Sequence, residues 1–360
     1  VAAGRGIIFL SGKFAMRAKL EKLANRIWYG RDSVAVLLSL LFWPLSLLVT
    51  RVATRRHADY LRRKPQAMVP VIVVGNITVG GTGKTPLVTA IVERLKKQGY
   101  RPAVISRGYG AHPPQYPFVV THDAGVTDAG DEPLLIARAT KVPVIIDPDR
   151  NRALTCAITQ FDCDVIVSDD GLQHYALPRD IEIVVADGER GLGNGLCIPS
   201  GPLREPMSRL AHVDIIVANG PIKDRRLGQS AGEKTQKVSM RMKVASLYPL
   251  PSTTRPLPKR GQTVHVVAGI GNPERAFASV REAGFNVVPH AFADHHVFTA
   301  EELHFNDFYP VVMTEKDAVK CATLPLENAF ALSVKAELPE KFWRNLSDKL
   351  AQATQKRLAN

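Results

Sequence analysis

A chain of 360 residues, 45% of them hydrophobic, holds enough apolar material for about two domains with buried cores. Its net charge of +13 calls for an anionic partner, and with no zinc-finger pattern and no aromatic-rich RNA motif that partner is expected to be a membrane surface, not nucleic acid. The four cysteines, Cys156, Cys163, Cys197 and Cys321, lack C-x-x-C spacing, which excludes a disulfide frame or zinc site and predicts reduced, buried thiols.

Residues 1–15, ahead of Met16, read as an upstream extension without a role of its own. The first strong element is the uncharged run Ser33–Thr50, SVAVLLSLLFWPLSLLVT, which as a helix would span about 27 Å, close to the hydrocarbon thickness of a bilayer. It lies too far from the N-terminus, behind too basic a stretch, for a cleaved signal. Trp28, Tyr29 and Trp43 suit a membrane interface, and Pro44 predicts a kink. Arg17, Lys19, Lys22 and Arg26 precede the run; Arg51, Arg55, Arg56, Arg62, Arg63 and Lys64 follow it. With both flanks basic, the positive-inside rule gives no orientation, and a helix entering one leaflet fits as well as one that spans. The competing reading is a buried core helix. The basic flanks match anionic head groups, so residues 1–64 are expected to form an extension and a membrane-anchoring helix beside anionic lipid.

Next comes Val71–Pro86, VIVVGNITVGGTGKTP: an apolar strand, a glycine-rich turn and the start of a helix expected over Pro86–Lys97. The positions Thr78-Val79-Gly80-Gly81-Thr82-Gly83-Lys84-Thr85 fit the phosphate-loop pattern G-x-x-x-x-G-K-[ST] except that Thr78 replaces the first glycine. Glycines allow backbone N–H groups to converge on an anion, Lys84 supplies a point charge for the β/γ-phosphates of ATP, and the Thr85 hydroxyl suits Mg²⁺. An incidental lysine in a tight turn is the bland alternative; the strand before and helix after favour nucleotide binding. Val79 stands where the membrane-associated partitioning ATPases carry a lysine, which argues against that class.

Further strands are expected at Ala103–Ser106, Val142–Ile146, Val165–Ser168, Ile181–Ala186 and Ile215–Ala218. Short apolar strands separated by helices predict an α/β fold: a P-loop NTPase-type parallel sheet with helices on both faces over residues 65–220. Residues 221–262, rich in Pro, Gly, Ser and charge, read as a linker with one strand pair around Val238–Leu247. Residues 263–360 read as a smaller α/β unit: strand Val264–Ala268, turn Gly269–Pro273, helix Glu274–Ala283, strands Phe285–Pro289 and Val311–Thr314, and a basic amphipathic helix Lys341–Ala353 packed on the body.

Three groups of polar residues stand out. Asp169 and Asp170 end a buried strand, where a carboxylate can hold Mg²⁺ directly or through water; the sequence leaves open which is nearer. Asp131 and Glu132 precede Pro133 and a helical run Leu134–Ala139, so one of them is expected to cap that helix, while two adjacent acids also suit a base and a metal ligand. Asp294-His295-His296 sits in a loop before the capped segment Thr299–Glu302, where histidine can tune a carboxylate base or stabilise transferred charge.

The motifs VGNITVGGTGKTP, SRGYG (Ser106–Gly110), GDEPLLIA (Gly130–Ala137), SDDGLQH, DHHVFT (Asp294–Thr299) and MTEKDAVK (Met313–Lys320), in that order, resemble the tetraacyldisaccharide 4'-kinases, the lipid A 4'-kinases of Gram-negative bacteria. Thr78 at the start of the loop and the N-terminal apolar segment are also like that family. The resemblance implies transfer of the ATP γ-phosphoryl to the 4'-hydroxyl of an acylated glucosamine disaccharide 1-phosphate. The product would be lipid IV-A, made at the cytoplasmic face of the inner membrane. It also implies Asp131 as the base, paired with His295, and Glu132 and Thr85 near Mg²⁺. A pair drawn from the two α/β units forms only across a cleft, so closure of the units is expected to assemble the site and exclude water. The rival functions are a membrane-associated regulatory P-loop ATPase and a basic binding protein with a vestigial loop. The second leaves Lys84, Thr85, Asp169 and Asp170 unexplained.

Overall fold

The computed structural model describes residues 20–359 except 21 and 295. Residues 1–19, which include Met16 and the expected extension, and the candidate His295 lie outside the described residues. The first part of the chain forms α1 (residues 22–29), α2 (Ser33–Arg63), β1 (Val71–Gly75), α3 (Lys84–Lys97), β2 (Pro102–Ser106) and β3 (Phe118–Val119). There follow α4 (Val126–Ala129), α5 (Asp131–Thr140), β4 (Val144–Ile146), α6 (Arg150–Phe161), β5 (Val165–Asp169), β6 (Ile181–Asp187), β7 (Ile215–Asn219), α7 (Arg226–Gln229) and β8 (Gln236–Pro249). The remainder is β9 (Thr263–Ala268), α8 (Pro273–Glu282), β10 (Asn286–Ala291), β11 (Val311–Thr314), α9 (Glu315–Cys321), β12 (Ala329–Glu337) and α10 (Glu340–Leu358).

Among the described residues the strands form one sheet in the order β10-β9-β11-β12-β8-β7-β6-β1-β5-β2-β4-β3. β1 lies between β5 and β6, both parallel to it. Every residue of β1, β2, β5, β6 and β7 is buried, as a sheet covered on both faces requires. Alternation sorts their side chains: Ile72 and Val74 join a core with Leu87 and Ile91 of α3 and Leu134 of α5, while Val71 and Val73 face Ala153 and Leu154 of α6. The expected P-loop-type parallel sheet with helices on both faces is therefore present, and the glycine-rich loop leaves the carboxyl end of its central strand.

β9, β10, β11 and β12 form a second parallel set, with Ala276, Phe277 and Val280 of α8 on one face and Ala318 and Cys321 of α9 on the other. The two sets are joined through β8. Its first half runs parallel to β7; its second half pairs antiparallel with β12, from Arg241 opposite Glu337 to Pro249 opposite Phe330. The stretch read as a linker thus carries a 14-residue strand. α10 returns to the first sheet, beside Ala336 at the end of β12. Phe342, Leu346 and Leu350 enter the core shared by α3, α5 and the first sheet, and Gln98 Nε2 donates to Ser347 Oγ at 3.1 Å.

α2 extends well past Thr50, for 31 residues, because the Ala- and Arg-rich stretch that follows favours helix. Asp32 caps its start, accepting from Ala35 N at 3.1 Å, and the helix continues through Pro44. Its buried side is small and polar. Ser39 Oγ donates to Ser200 O at 3.1 Å and Ser46 Oγ to Cys197 O at 2.7 Å. Leu37, Leu40, Leu41, Leu45 and Leu48 all point outward, more than half exposed. This inverts the usual polarity of a surface helix. By length and composition α2 is apolar enough to cross a membrane.

The placement of α10 predicts that Leu346→Ala, which empties a nearly fully buried site, will cost about 2–5 kcal/mol of stability. The loss should appear in the unfolding transition that also abolishes nucleotide binding, as followed by denaturant titration with a bound fluorescent nucleotide. A loss confined to the β9–β12 unit would contradict the packing.

Candidate active site

The β1–α3 loop is held by segments remote in sequence. Val79 N donates to Pro202 O at 2.8 Å, Thr78 forms an isolated bridge with Leu203, and Asn219 Nδ2 donates to Thr82 O at 3.1 Å. Gly83, at φ 94°, caps α3 in a left-handed conformation, and a Cβ there would meet Asn219 Nδ2 at 2.6 Å. Lys84 and Thr85 therefore begin α3 at its positive end, where phosphate is favoured. The other face of the loop meets the second unit: a Cβ on Gly271 would lie 2.8 Å from Gly81 N. The Gly269–Pro273 turn, read from sequence as a simple tight turn, thus rests backbone to backbone on the phosphate loop.

Asp169 and Asp170 differ in surroundings. Asp169 ends β5 and is buried, with Oδ1 lacking a hydrogen-bond partner. Burial, then the charge of Glu132, pushes its carboxyl well above the usual carboxylate range. Asp170 sits in a left-handed conformation, φ 48°. Burial alone would raise its pKa, but the charges of Lys84 and Arg204 outweigh it and leave the pKa lowered. Lys84 Nζ lies 3.5 Å from Asp170 Oδ1, and Arg204 Nη1 donates to both Asp170 oxygens at 3.2 and 3.1 Å. Arg150, also buried, has its pKa lowered to about 10 by burial, against the pull of Asp169 and Asp170.

Asp131 and Glu132 are not helix caps, contrary to expectation. The cap of α5 is Gly130 at φ 80°, and the two acids occupy the first turn, with Pro133 behind them. Glycine takes this conformation without the steric penalty an acid would meet, and acids in a first turn complement the helix dipole. Both acids face the same cleft as the phosphate loop. There they meet Lys316, the second residue of α9, whose Nζ lies 3.0 Å from Glu132 Oε1, 3.1 Å from Asp294 Oδ1 and 3.8 Å from Asp131 Oδ2. Burial would lower the Lys316 pKa, but the three carboxylates reverse that and raise it. His296 faces elsewhere: its ring packs 4.9 Å from Phe292 and 4.8 Å from Phe298, and its Nε2 is 3.0 Å from Glu302 Oε2. Thr299 and Glu302 close the expected capping box, Thr299 N donating to Glu302 Oε2 at 3.0 Å.

The cleft, about 1710 Å³, is lined by the whole segment Val79–Thr85, by Asp131, Glu132, Asp169 and Asp170, and by Asp294 and Lys316 from the second unit. That exceeds the roughly 300–1,000 Å³ of a typical small-molecule pocket, so nucleotide and a sugar acceptor have room together. Sequence reasoning missed the involvement of Lys316, Arg204, Arg150 and Gly271. For Lys316 a local signal existed: like Asp169 and Asp170, it stands just past the end of a buried strand.

The donor set suits Mg²⁺, a hard cation that takes oxygen ligands and usually only one or two protein carboxylates beside substrate phosphates. The orphaned Asp169 Oδ1, pointing from the strand end beside the phosphate loop, is the observation that fits such an ion.

Comparison with known proteins follows the same lines. A family model described as tetraacyldisaccharide-1-P 4'-kinase matches residues 38–351. The tetraacyldisaccharide 4'-kinase of Alcanivorax borkumensis is 46% identical over 310 residues, 85% of this chain and 91% of that protein. The enzyme of the same name from Pseudomonas syringae is 47% identical over 322 residues, 88% and 93% of the two chains. The crystal structure of LpxK from Aquifex aeolicus, in complex with ATP, superposes with a TM-score of 0.69 at 26% identity, covering 87% of this chain and 99% of that one.

The loop geometry predicts that Lys84→Ala lowers kcat by about 10²–10³, the usual cost of removing one preorganised charge from a developing transition state. Steady-state kinetics on a folded variant checks it; near-normal kcat would sink the phosphate-loop assignment.

Proposed function

The chain belongs to the tetraacyldisaccharide-1-P 4'-kinase family, and from that premise we propose how its cleft divides the work of phosphoryl transfer. The enzyme is a kinase of lipid A biosynthesis: it moves the γ-phosphoryl of ATP to the 4'-hydroxyl of a tetraacylated glucosamine disaccharide 1-phosphate, giving lipid IV-A. The observation that carries the division is the convergence in one cleft of Lys84, the β5 carboxylates and the Asp131–Glu132 pair.

Residues Thr78–Thr85 cradle the phosphates, with Lys84 on the β/γ-phosphates. Thr85, Glu132, Asp169 and Asp170 are the candidates to hold Mg²⁺, which when bound neutralises charge on the phosphate oxygens. Asp169 is the better placed of the two aspartates, because Asp170 is already engaged by Lys84 and Arg204. Asp131 accepts the proton of the 4'-hydroxyl as the new oxygen–phosphorus bond forms and the bond from the γ-phosphorus to the bridging oxygen breaks, leaving ADP. The family resemblance pairs Asp131 with His295. A sugar hydroxyl is a weak nucleophile, so a base whose position is fixed matters more than covalent help. In this reading residues 65–220 are the nucleotide domain and the β9–β12 unit supplies the opposite wall, which closes over the acceptor.

The acceptor lives in a bilayer, and the N-terminal segment fits that location. The leucines of α2 would enter the apolar layer while Ser39 and Ser46 hold the helix to the body, and Arg51, Arg55 and Arg56 would meet anionic lipid. Because ATP is cytosolic, the body would face the cytoplasm at the inner membrane. The direct test is transfer of labelled phosphate from ATP to the disaccharide lipid, with ATP turnover measured with and without that lipid. A regulatory ATPase would turn over ATP equally in both.

Asp131→Asn is expected to lower kcat by about 10²–10⁴ with little change in ATP affinity, as for loss of a general base. Asp169→Asn should weaken Mg²⁺ dependence more than Asp170→Asn does, read from Mg²⁺ titrations of ATP binding and of rate. The reverse order would contradict the assignment of the pair. For the membrane face, changing Leu37, Leu41, Leu45 and Leu48 together to Ser should cut vesicle binding at least about tenfold, given the apolar area lost. Activity on detergent-dispersed lipid should hold within about threefold, since anchoring mainly raises local concentration. Unchanged cosedimentation with vesicles would rule out α2 as the anchor.

A further inference from the structure

We infer that Lys316 is a positioning residue of the transfer reaction, the tie that sets Asp131 and Glu132 of the first unit against the Asp294 loop of the second. The inference rests on the reading of Asp131 as the base.

Nothing local favours a lysine at this point. Lys316 stands in the first turn of α9, at the end of the helix dipole that repels a cation, and its side chain is only 14% exposed. Desolvating an ammonium is costly, and an isolated lysine here would be strongly destabilising. The compensation comes from carboxylates on two different units: Glu132 and Asp131 on α5, and Asp294 in the loop that follows β10. The ammonium is thus a shared counter-ion, and the shape of the acidic cluster depends on it.

Its backbone is fixed from behind. Thr314 and Asp317 cap α9 reciprocally: Asp317 N donates to Thr314 Oγ1 at 3.2 Å and Thr314 Oγ1 to Asp317 Oδ2 at 2.7 Å. The same Asp317 Oδ2 accepts from Gly269 N at 2.9 Å. Gly269 opens the turn whose Gly271 lies against Gly81 of the phosphate loop. Beside the ion pair of Arg275 with Asp187, the second unit therefore meets the first through one connected piece, the Gly269–Gly271 turn on the phosphate loop and Lys316 on the acids. An ion pair that served stability alone would need no such linkage. Here the placement of the base relative to the phosphates follows from it, and an error of about 1 Å in such a placement can cost on the order of 10² in rate.

The test uses the full-length enzyme with ATP and the disaccharide lipid, in three variants: Lys316→Gln, Lys316→Arg and Lys316→Gln combined with Asp131→Asn. For Lys316→Gln, kcat should fall about 10²-fold. The KM for ATP should stay within about threefold, because the phosphate loop and Lys84 are untouched. Lys316→Arg keeps the charge and should recover at least about tenfold of the loss, a rescue that also covers the case in which the Gln variant folds poorly. The double variant should be no more than about threefold worse than Asp131→Asn alone, since groups acting as one unit are not additive. The proposal is overturned by a folded Lys316→Gln enzyme with kcat within threefold of normal, by a loss carried entirely in KM for ATP, or by multiplicative losses in the double variant. If instead Asp131→Asn alone keeps normal kcat, the base assignment fails, and the Lys316 positioning role falls with it.

Discussion

The cleft is organised by its own negative charge. Asp131, Glu132, Asp169, Asp170 and Asp294 all line one cavity with the glycine-rich loop Val79–Thr85. In a partly desolvated site, unit charges a few ångströms apart interact by several kcal/mol, so these carboxylates stay together only if cations are interleaved with them. Two arrangements do this. Lys84 and Arg204 hold Asp170, with Arg150 behind. Lys316 holds Glu132, Asp294 and, at longer range, Asp131. The first lies within the nucleotide-binding sheet; the second bridges to the other unit. The contact between the two units is thereby also a point of charge compensation.

The fold delivers these groups through strand ends. Strands buried on both faces leave their ends for polar chemistry, and because β1 and β5 are adjacent and parallel, the phosphate loop and Asp169–Asp170 emerge side by side at the carboxyl edge. Bringing Lys316 to the same edge requires a second parallel set in continuity with the first, and β8, long enough to pair with β7 and then with β12, provides it. The apolar helix is joined to the same place. Ser39 and Ser46 bind the carbonyls of Ser200 and Cys197, and the chain just beyond, Pro202 and Leu203, supports Val79 and Thr78 of the phosphate loop. Only a few bonds separate the proposed membrane surface from the nucleotide site.

Much of this was legible in the sequence where a signal is local. β1, β2, β5, β6 and β7 are short apolar runs because both faces are covered, and each was read within a residue or so of its ends. The phosphate loop is a contiguous motif. The features that were missed are non-local or conformational. β12 was overlooked although Ser333–Glu337 alternates polar and apolar, as Lys237–Val244 of β8 does; what the sequence does not show is that β8 pairs with β7 on one side and β12 on the other, because a strand's partners are non-local. The capping of α5 was assigned to an acid because acids are common caps, whereas the left-handed turn there admits glycine far more readily. α2 outran its apolar segment because charge does not stop a helix. Lys316 and Gly271 matter through what they touch across the cleft; the strand end before Lys316 marks its place but not its partners, and nothing along the chain marks Gly271.

The aspartate pair shows the same division most sharply. In sequence Asp169 and Asp170 are equivalent neighbours. In the fold, Asp169 is the last residue in ladder with β1, opposite Val74, and so inherits the burial of the sheet. Asp170 is the first residue beyond, and its left-handed backbone swings its carboxylate out to Lys84 and Arg204. One residue of strand thus separates a carboxyl that burial drives toward its neutral form from one that two cations hold ionised. The backbone turn between them thus gives two adjacent carboxyls opposite settings, one with a buried oxygen that has no hydrogen-bond partner and one compensated by two cations.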